Sequence, residues 1–544
     1  MRKHAWKALA AMCLAASLLG GCGGAVVEEA PATTAASEST ETTAAGTTDT
    51  AASTEAAGTS ASAGGTFTYA IGGDTGNTLN PLTADDRYGL MASKMLYAPL
   101  YFINLDGSVD YILAESMESN EDGTVWTCKL KPDLKWSDGE PLTADDVVFT
   151  INAHHENNPS LYVNGEPIVA EATDETTVTF TLPAPSASAF ELLSAELFIL
   201  PQHFFEPKGT FDVNMLEETP VGAGPYVLDE YMTGQYLSFS KNPNYVLGEA
   251  NIDNIVYRVI EKDDTATLAL QSGEVDAWVA SAAEQMLPYQ NNENFNIYNY
   301  SEGRVAYMML NSVSENMKDM DYRKGIMHAL DRNEIMMAAY SDPELYQLDY
   351  TFLPPINEYY TEDVEKYEQD LELAKELTAG GPTELTLLYN VADGVQERMA
   401  LAIQASLKEI GINVTLNGME FAAYFNSYMD TTDGSFDLFL NGYVMGIDPN
   451  AYSSLFSTEK ENYTRCSNTE IDALWTEADM VTDTEARKPL YAEIQKKIQD
   501  EAIFYPIGSN YKTLIVNSRI GNVEEAGLVP IYSIKDASKL TINE

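Results

Sequence analysis

The chain has 544 residues, and 83 acidic against 31 basic side chains give it a net charge of −52. A chain this acidic, with no basic patch, is a poor partner for nucleic acid and is repelled by anionic lipid surfaces. Its length exceeds what one hydrophobic core supports, so at least two compact units are expected. Arg2, Lys3 and Lys7 open the chain, and residues 8–19 form an almost uninterrupted apolar run. That run has the length of an export signal and is too short to span a bilayer.

The run ends in Leu19-Gly20-Gly21-Cys22, which resembles the lipobox of a bacterial lipoprotein. The resemblance implies that residues 1–21 are a signal peptide and that Cys22 is lipidated. The protein is then expected on the extracytoplasmic face of the cell membrane, held there by a lipid anchor. A lipidated cysteine carries at least two acyl chains, enough for slow departure. Residues 22–64 are mostly Ala, Thr, Ser, Gly and Glu, with no aromatic residue, Lys or Arg. They cannot bury enough apolar surface to offset ordering entropy and read as a disordered tether, with an end-to-end distance of roughly 35–40 Å.

The folded body begins with a strand in which Phe67, Tyr69 and Ile71 alternate, and Gly72-Gly73-Asp74 ends it. A loop follows around Asn80-Pro81, then a helix over 88–97 and the segment Tyr101-Phe102-Ile103. Asp122-Gly123 turns into a strand carrying Trp126, Cys128 and Leu130 on one face. Leu134 and Trp136 predict a second short strand, ending at the tight turn Ser137-Asp138-Gly139. Thr143 is a suitable N-cap for the next helix, and Asp145 and Asp146 in its first turn favour the helix dipole. Further on, Met399, Ile403, Leu407 and Ile410 share one helical face, Gly411 is the stop, and Ile412, Val414 and Leu416 alternate as a strand.

The chain offers no catalytic signature: no G-x-S-x-G elbow, P-loop, H-E-x-x-H or EF-hand loop occurs. No enzyme activity, cofactor or metal is therefore expected. Past the signal and Cys22 only Cys128 and Cys466 remain, without C-x-x-C spacing, and Cys128 reads as a buried structural residue. His154 and His155 are adjacent on a helix, about 100° apart, so they do not converge on one metal and read as surface residues.

The segment from Lys135 through Trp136, Asp138-Gly139 and Pro141-Leu142-Thr143-Ala144-Asp145-Asp146-Val147 closely resembles the signature region of the family 5 extracellular solute-binding proteins of ABC importers, the dipeptide, oligopeptide and nickel-binding group. Similar motifs follow in family order. They include Gly222-Ala223-Gly224-Pro225-Tyr226, Asn242-Pro243-Asn244-Tyr245, Gly273-Glu274-Val275-Asp276 and the helix from Arg323 to Ile335. The resemblance implies a mixed α/β, two-lobed periplasmic-binding-protein-like fold of class II type with an additional inserted domain. By analogy lobe I spans 65–93, 221–301 and 506–544, the inserted domain 94–220 and lobe II 302–505, with chain crossings near 301 and 505 as the hinge.

The implied function is capture of short peptides between the lobes, by a monomer, and delivery to ABC permease subunits. An oligosaccharide or other neutral solute is the alternative ligand, and a sensor without transport the alternative role. The nickel-chelate reading is disfavoured by the absence of a distinctive histidine in the matched loops. In peptide-binding relatives a loop like 441–449 carries an aspartate that pairs with the peptide's α-ammonium group. Here Tyr443 replaces a Trp and Gly446 falls where that aspartate is expected, which puts the anchor in doubt. Asp448 is a substitute anchor, though its place before Pro449 fits a turn acid better. Asn80, Tyr424, Asn441, Tyr443, Met445 and Asp448 are the expected ligand contacts.

Overall fold

Two long antiparallel strands, Phe295–Leu310 and Phe504–Asn517, run through the whole molecule in this computed structural model. It describes residues 61–543 apart from 63, 77–78, 85–86, 105–106, 158–160, 195–196, 212–217, 281 and 445. Cys22, the expected signal peptide, nearly all of the expected tether and Met445 lie outside the described residues.

The long strands sit at the centre of one eleven-stranded sheet. In the first lobe Phe504–Asn517 pairs with Ala277–Ala280, followed outward by Thr66–Ile71, Asn254–Val259, Tyr236–Lys241 and Tyr226–Met232. In the second lobe Phe295–Leu310 pairs with Leu438–Val444, followed by Glu384–Asn390 and Asn413–Met419. The ladder between the long strands slips at Ser301/Val305 and again at Ala306/Tyr307. Gly303 lies inside the slip at φ 66°, a conformation that glycine adopts without a steric penalty. The pairing of the two long strands is thus least regular at residues 301–307.

Alternation explains burial on both faces. In the first lobe Tyr69, Ala277 and Leu514 enter one core, while their neighbours Ala70, Trp278 and Ile515 enter another on the opposite face. In the second lobe Ala306, Met308 and Leu310 face one core and Val305, Tyr307 and Met309 the other. A separate core is built around the four-stranded sheet Ala114–Ser119, Val125–Leu130, Thr177–Thr181 and Val169–Asp174, with Trp126, Cys128 and Leu130 inside it. This core falls in the segment expected to form the inserted domain, and the domain is named accordingly. Cys128 and Cys466 are buried free thiols.

Several expected elements form, with instructive differences. The helices run Arg87–Leu96 and Ala144–Asn157, and the Thr143 N–H donates to the Asp146 carboxylate at 2.9 Å, half of a capping box. The second short strand does not form. Only Lys135 and Pro141 bridge, flanked by bonds from the Trp136 N–H to the Glu140 carbonyl and from the Leu142 N–H to the Leu134 carbonyl. Trp136 is nonetheless fully buried, its indole N–H donating to Asp146. His154 is not a surface residue: it is 7% exposed, and burial pulls its pKa down to about 4.

Three of the signature motifs meet at one seam between the first lobe and the inserted domain. The Gly224 N–H donates to the Leu96 carbonyl, the Gly222 carbonyl accepts from Ser137 N–H, and Asn244 donates to the Trp136 carbonyl. Asn242 donates to the Gly224 carbonyl. A Cβ on residue 222 would stand 1.9 Å from the Leu96 carbonyl oxygen. Gly222→Ala is therefore expected to destabilise the protein by at least about 2 kcal/mol through forced backbone movement. Denaturant titration checks this, and an unchanged midpoint would contradict the packing at the seam.

Candidate functional site: the junction of the lobes

The centre of the junction is a charge cluster on the crossing strands. Glu302 accepts from Arg87, on the first-lobe helix, at 2.5 Å and from Asn510 at 3.2 Å, with Lys512 at 3.9 Å. Burial alone would raise the Glu302 pKa. The charges of Lys512 and Arg87 and the bonds from Arg87 and Asn510 outweigh it and hold the carboxyl at about 2. Burial pulls the Lys512 pKa down, and the Glu302 carboxylate works against that. Two residues on, Arg304 stands 3.5 Å from Asp393 of the second lobe and beside Gly442.

The sign of the pH effect follows. A folded-state pKa below the unfolded one gives stability that is complete above about 4.5 and is lost as pH falls toward 2. For Glu302 that loss is roughly 3 kcal/mol. Glu302→Gln should remove this component, so that the difference in unfolding free energy between wild type and variant shrinks from pH 6 to pH 2. A constant difference would contradict the assignment.

The expected ligand contacts are placed as follows. Asn80 is fully buried in the first lobe, where its side chain accepts from Leu82 N–H and donates to the Phe211 carbonyl. Tyr424 is buried and donates to the Leu440 carbonyl at 2.6 Å, and buried Tyr443 donates to the Phe352 carbonyl. Their polar tips are thus spent on backbone, as wall-forming residues require. Asn441 is half-buried and donates to Tyr307 Oη at 3.2 Å, which in turn donates to Tyr428 at 3.1 Å. Asn441, Tyr443 and Tyr424 therefore share one aromatic wall with Tyr307, whereas Asn80 bonds to Leu82 and Phe211 in the first lobe.

Asp448 is held inside the second lobe. Both its oxygens take Arg487, at 2.7 and 2.9 Å, and Oδ1 also accepts from Asn450 N–H and Tyr491. Both side chains are nearly inaccessible, 8% for Asp448 and 5% for Arg487. Burial opposes the Arg487 charge, and the Asp448 carboxylate more than offsets that, so its pKa lies above the usual arginine range. An incoming ammonium group would have to displace this pair. The geometry makes Asp448 a structural acid.

A different carboxylate reaches the loop. Glu191, on the inserted domain, accepts the N–H groups of Ile447 and Asp448 at 2.7 and 2.6 Å. A Cβ on residue 446 would come within 2.8 Å of its Oε1, so the glycine there leaves room for the Glu191 carboxylate. Nearby, Asp479 of the second lobe accepts from Ser186 Oγ, Ser188 N–H and Ser188 Oγ at 3.1, 3.2 and 2.9 Å. These contacts bridge the inserted domain to the second lobe. Sequence reading missed Glu191 because it lies 256 positions before Ile447 and only the fold brings them together. The available signal was indirect: a missing acid at Gly446.

Among the described residues no group of His, Cys, Asp and Glu side chains is arranged to hold a metal, and no helix is long and apolar enough to cross a membrane. The arrangement is two lobes with polar and aromatic groups at their junction.

Residues 109–464 match the family described as bacterial extracellular solute-binding proteins, family 5. The chain belongs to that family, a class of binding proteins. It is 26% identical to the oligopeptide-binding protein AppA of Bacillus subtilis over 469 residues, 78% of this chain and 84% of that one. Its fold is similar to the ABC transporter substrate-binding protein CtaP of Listeria monocytogenes, with a TM-score of 0.82 and 34% identity over 89% of this chain and all of the other. A putative peptide-binding protein AppA from Clostridium difficile aligns with a TM-score of 0.81 and 32% identity, over 88% of this chain and all of that one.

Proposed function

We propose that the protein is a lipid-anchored receptor of an ABC importer that encloses short peptides between its lobes and delivers them to a membrane permease. The observation that carries the peptide reading is Glu191. Its carboxylate stands at the loop where peptide-binding relatives are expected to carry an acid, and Gly446 is what lets it approach. Its oxygens accept the backbone N–H groups of Ile447 and Asp448. A peptide α-ammonium group is a suitable further donor, forming a charge-assisted bond in a site shielded from water. The names of the relatives above support the same ligand class.

On this reading lobe I comprises 65–93, 221–301 and 506–544, the inserted domain 94–220 and lobe II 302–505. The slipped ladder at 301–306 is the hinge. Ligand favours closure by its greater affinity for the closed state, in which Glu191 and Asp479 link the lobes. Lipidation at Cys22 and the tether after it keep the receptor near its permease. Cys22→Ser is expected to leave the protein unprocessed or released into the medium. Calorimetry with di- to pentapeptides against maltooligosaccharides tests the ligand class: heat from peptides alone supports it, and heat from sugars alone overturns it.

A further inference from the structure

A cavity of about 320 Å³ lies at the seam between the first lobe and the inserted domain, away from the junction just described, and residues 302–505 contribute nothing to its lining. Its volume is at the lower end for small-molecule sites. Met91, Met95, Phe102, Tyr257 and Ile534 give it an apolar wall. Two of the polar groups in its lining have no hydrogen-bond partner among the described residues. Lys94, in the last turn of Arg87–Leu96, places its Nζ 4.8 Å from the Phe102 ring centre and 4.4 Å from that of Tyr532. This nitrogen is buried and has no hydrogen-bond partner among the described residues, and the same holds for the Tyr97 hydroxyl.

Leaving a buried ammonium and a buried hydroxyl unsatisfied is costly, and native structures do so rarely outside functional sites. Burial pulls the Lys94 amine down to about 7. The Asp536 carboxylate counters this and Lys535 adds to it. The remaining charged groups of the lining do not neutralise it: Lys535 is paired with Asp110, and Lys539 stands 3.7 Å from Asp536. The cavity thus has an apolar body, two unsatisfied donors in its lining and a surplus of cationic groups.

We propose that this seam is a second ligand site, for a small molecule with an aromatic or aliphatic body and a carboxylate head that accepts hydrogen bonds from Lys94 Nζ and Tyr97 Oη. It is independent of lobe closure and of the peptide reading. The test uses the full chain and a panel of phenylacetate, phenylpropionate and indole-3-acetate with their neutral amides, followed by calorimetry and ligand-observed NMR. Carboxylates should bind, the amides at least tenfold more weakly. Lys94→Met should weaken carboxylate binding at least tenfold and Tyr97→Phe by a smaller factor, while Glu191→Gln leaves it unchanged. Lys94→Met replaces an unsatisfied amine by an apolar side chain of similar length, so thermal unfolding should show a folded variant. Absence of binding by the whole panel, equal binding of acids and amides, or equal binding by folded Lys94→Met would each overturn the proposal.

Discussion

Asp448→Asn is expected to lower the free energy of unfolding by about 3–5 kcal/mol, the usual cost of stripping one partner from a buried ion pair. Arg487 is 5% exposed, and besides Asp448 it donates to the Ala478 carbonyl, Tyr359 and Tyr491. Its neutral partners cannot balance a charge that is shut off from water. The Asp448→Leu/Arg487→Met pair should cost markedly less than the sum of the two single changes, since it removes both charges together. A denaturant double-mutant cycle measures this coupling. Ligand affinity of Asp448→Asn, measured where it is still folded, should stay within a few-fold of wild type. A tenfold or greater loss of affinity would return Asp448 to the ligand site.

Glu191→Gln is expected to have the opposite profile: modest loss of stability and a large loss of binding. If Glu191 takes the α-ammonium group, removing its charge leaves that group enclosed without a counter-ion, at a cost of roughly 2 kcal/mol or more. Affinity for peptides with a free N-terminus should then fall at least about 30-fold. N-acetylated peptides lack the ammonium group and should lose less than about threefold. The comparison separates two roles of the same side chain. An equal fall for both peptide types would mean that Glu191 acts only through its bonds to Ile447 and Asp448, as a latch between the lobes, and the anchor assignment would fail.

Sequence pattern carried the fold a long way, for physical reasons that can be traced. Phe67, Tyr69 and Ile71 alternate, and all three are buried in a strand. Met399, Ile403 and Leu407 repeat at helical spacing and are buried in Gly394–Glu409. The crossing strand Phe295–Leu310 was less legible, because Ser301-Glu302-Gly303 interrupts its pattern where the ladder slips. The seam motifs were visible as motifs, but their purpose was not. Gly222, Asn244 and Trp136 are far apart in the chain and meet through backbone bonds that leave no periodic trace.

The junction was harder to read for the same reason. Asn441, Tyr443 and Tyr424 are among the expected ligand contacts, yet sequence could not say that they share one wall or that the hydroxyls of both tyrosines are spent on carbonyl groups. Asp448 carried a visible turn signal before Pro449, and the structure adds the buried Arg487 that fixes it. Glu191 carried no signal of its own among the many acids of this chain. Only the three-dimensional arrangement shows a carboxylate filling the space above Gly446.

The most direct test of the account is native mass spectrometry of the intact receptor purified gently from cells, with release and sequencing of whatever travels with it. The account predicts a heterogeneous set of short peptides with free N-termini, and their loss from the Glu191→Gln variant. A single sugar mass or a metal chelate, carried equally by wild type and variant, would contradict it.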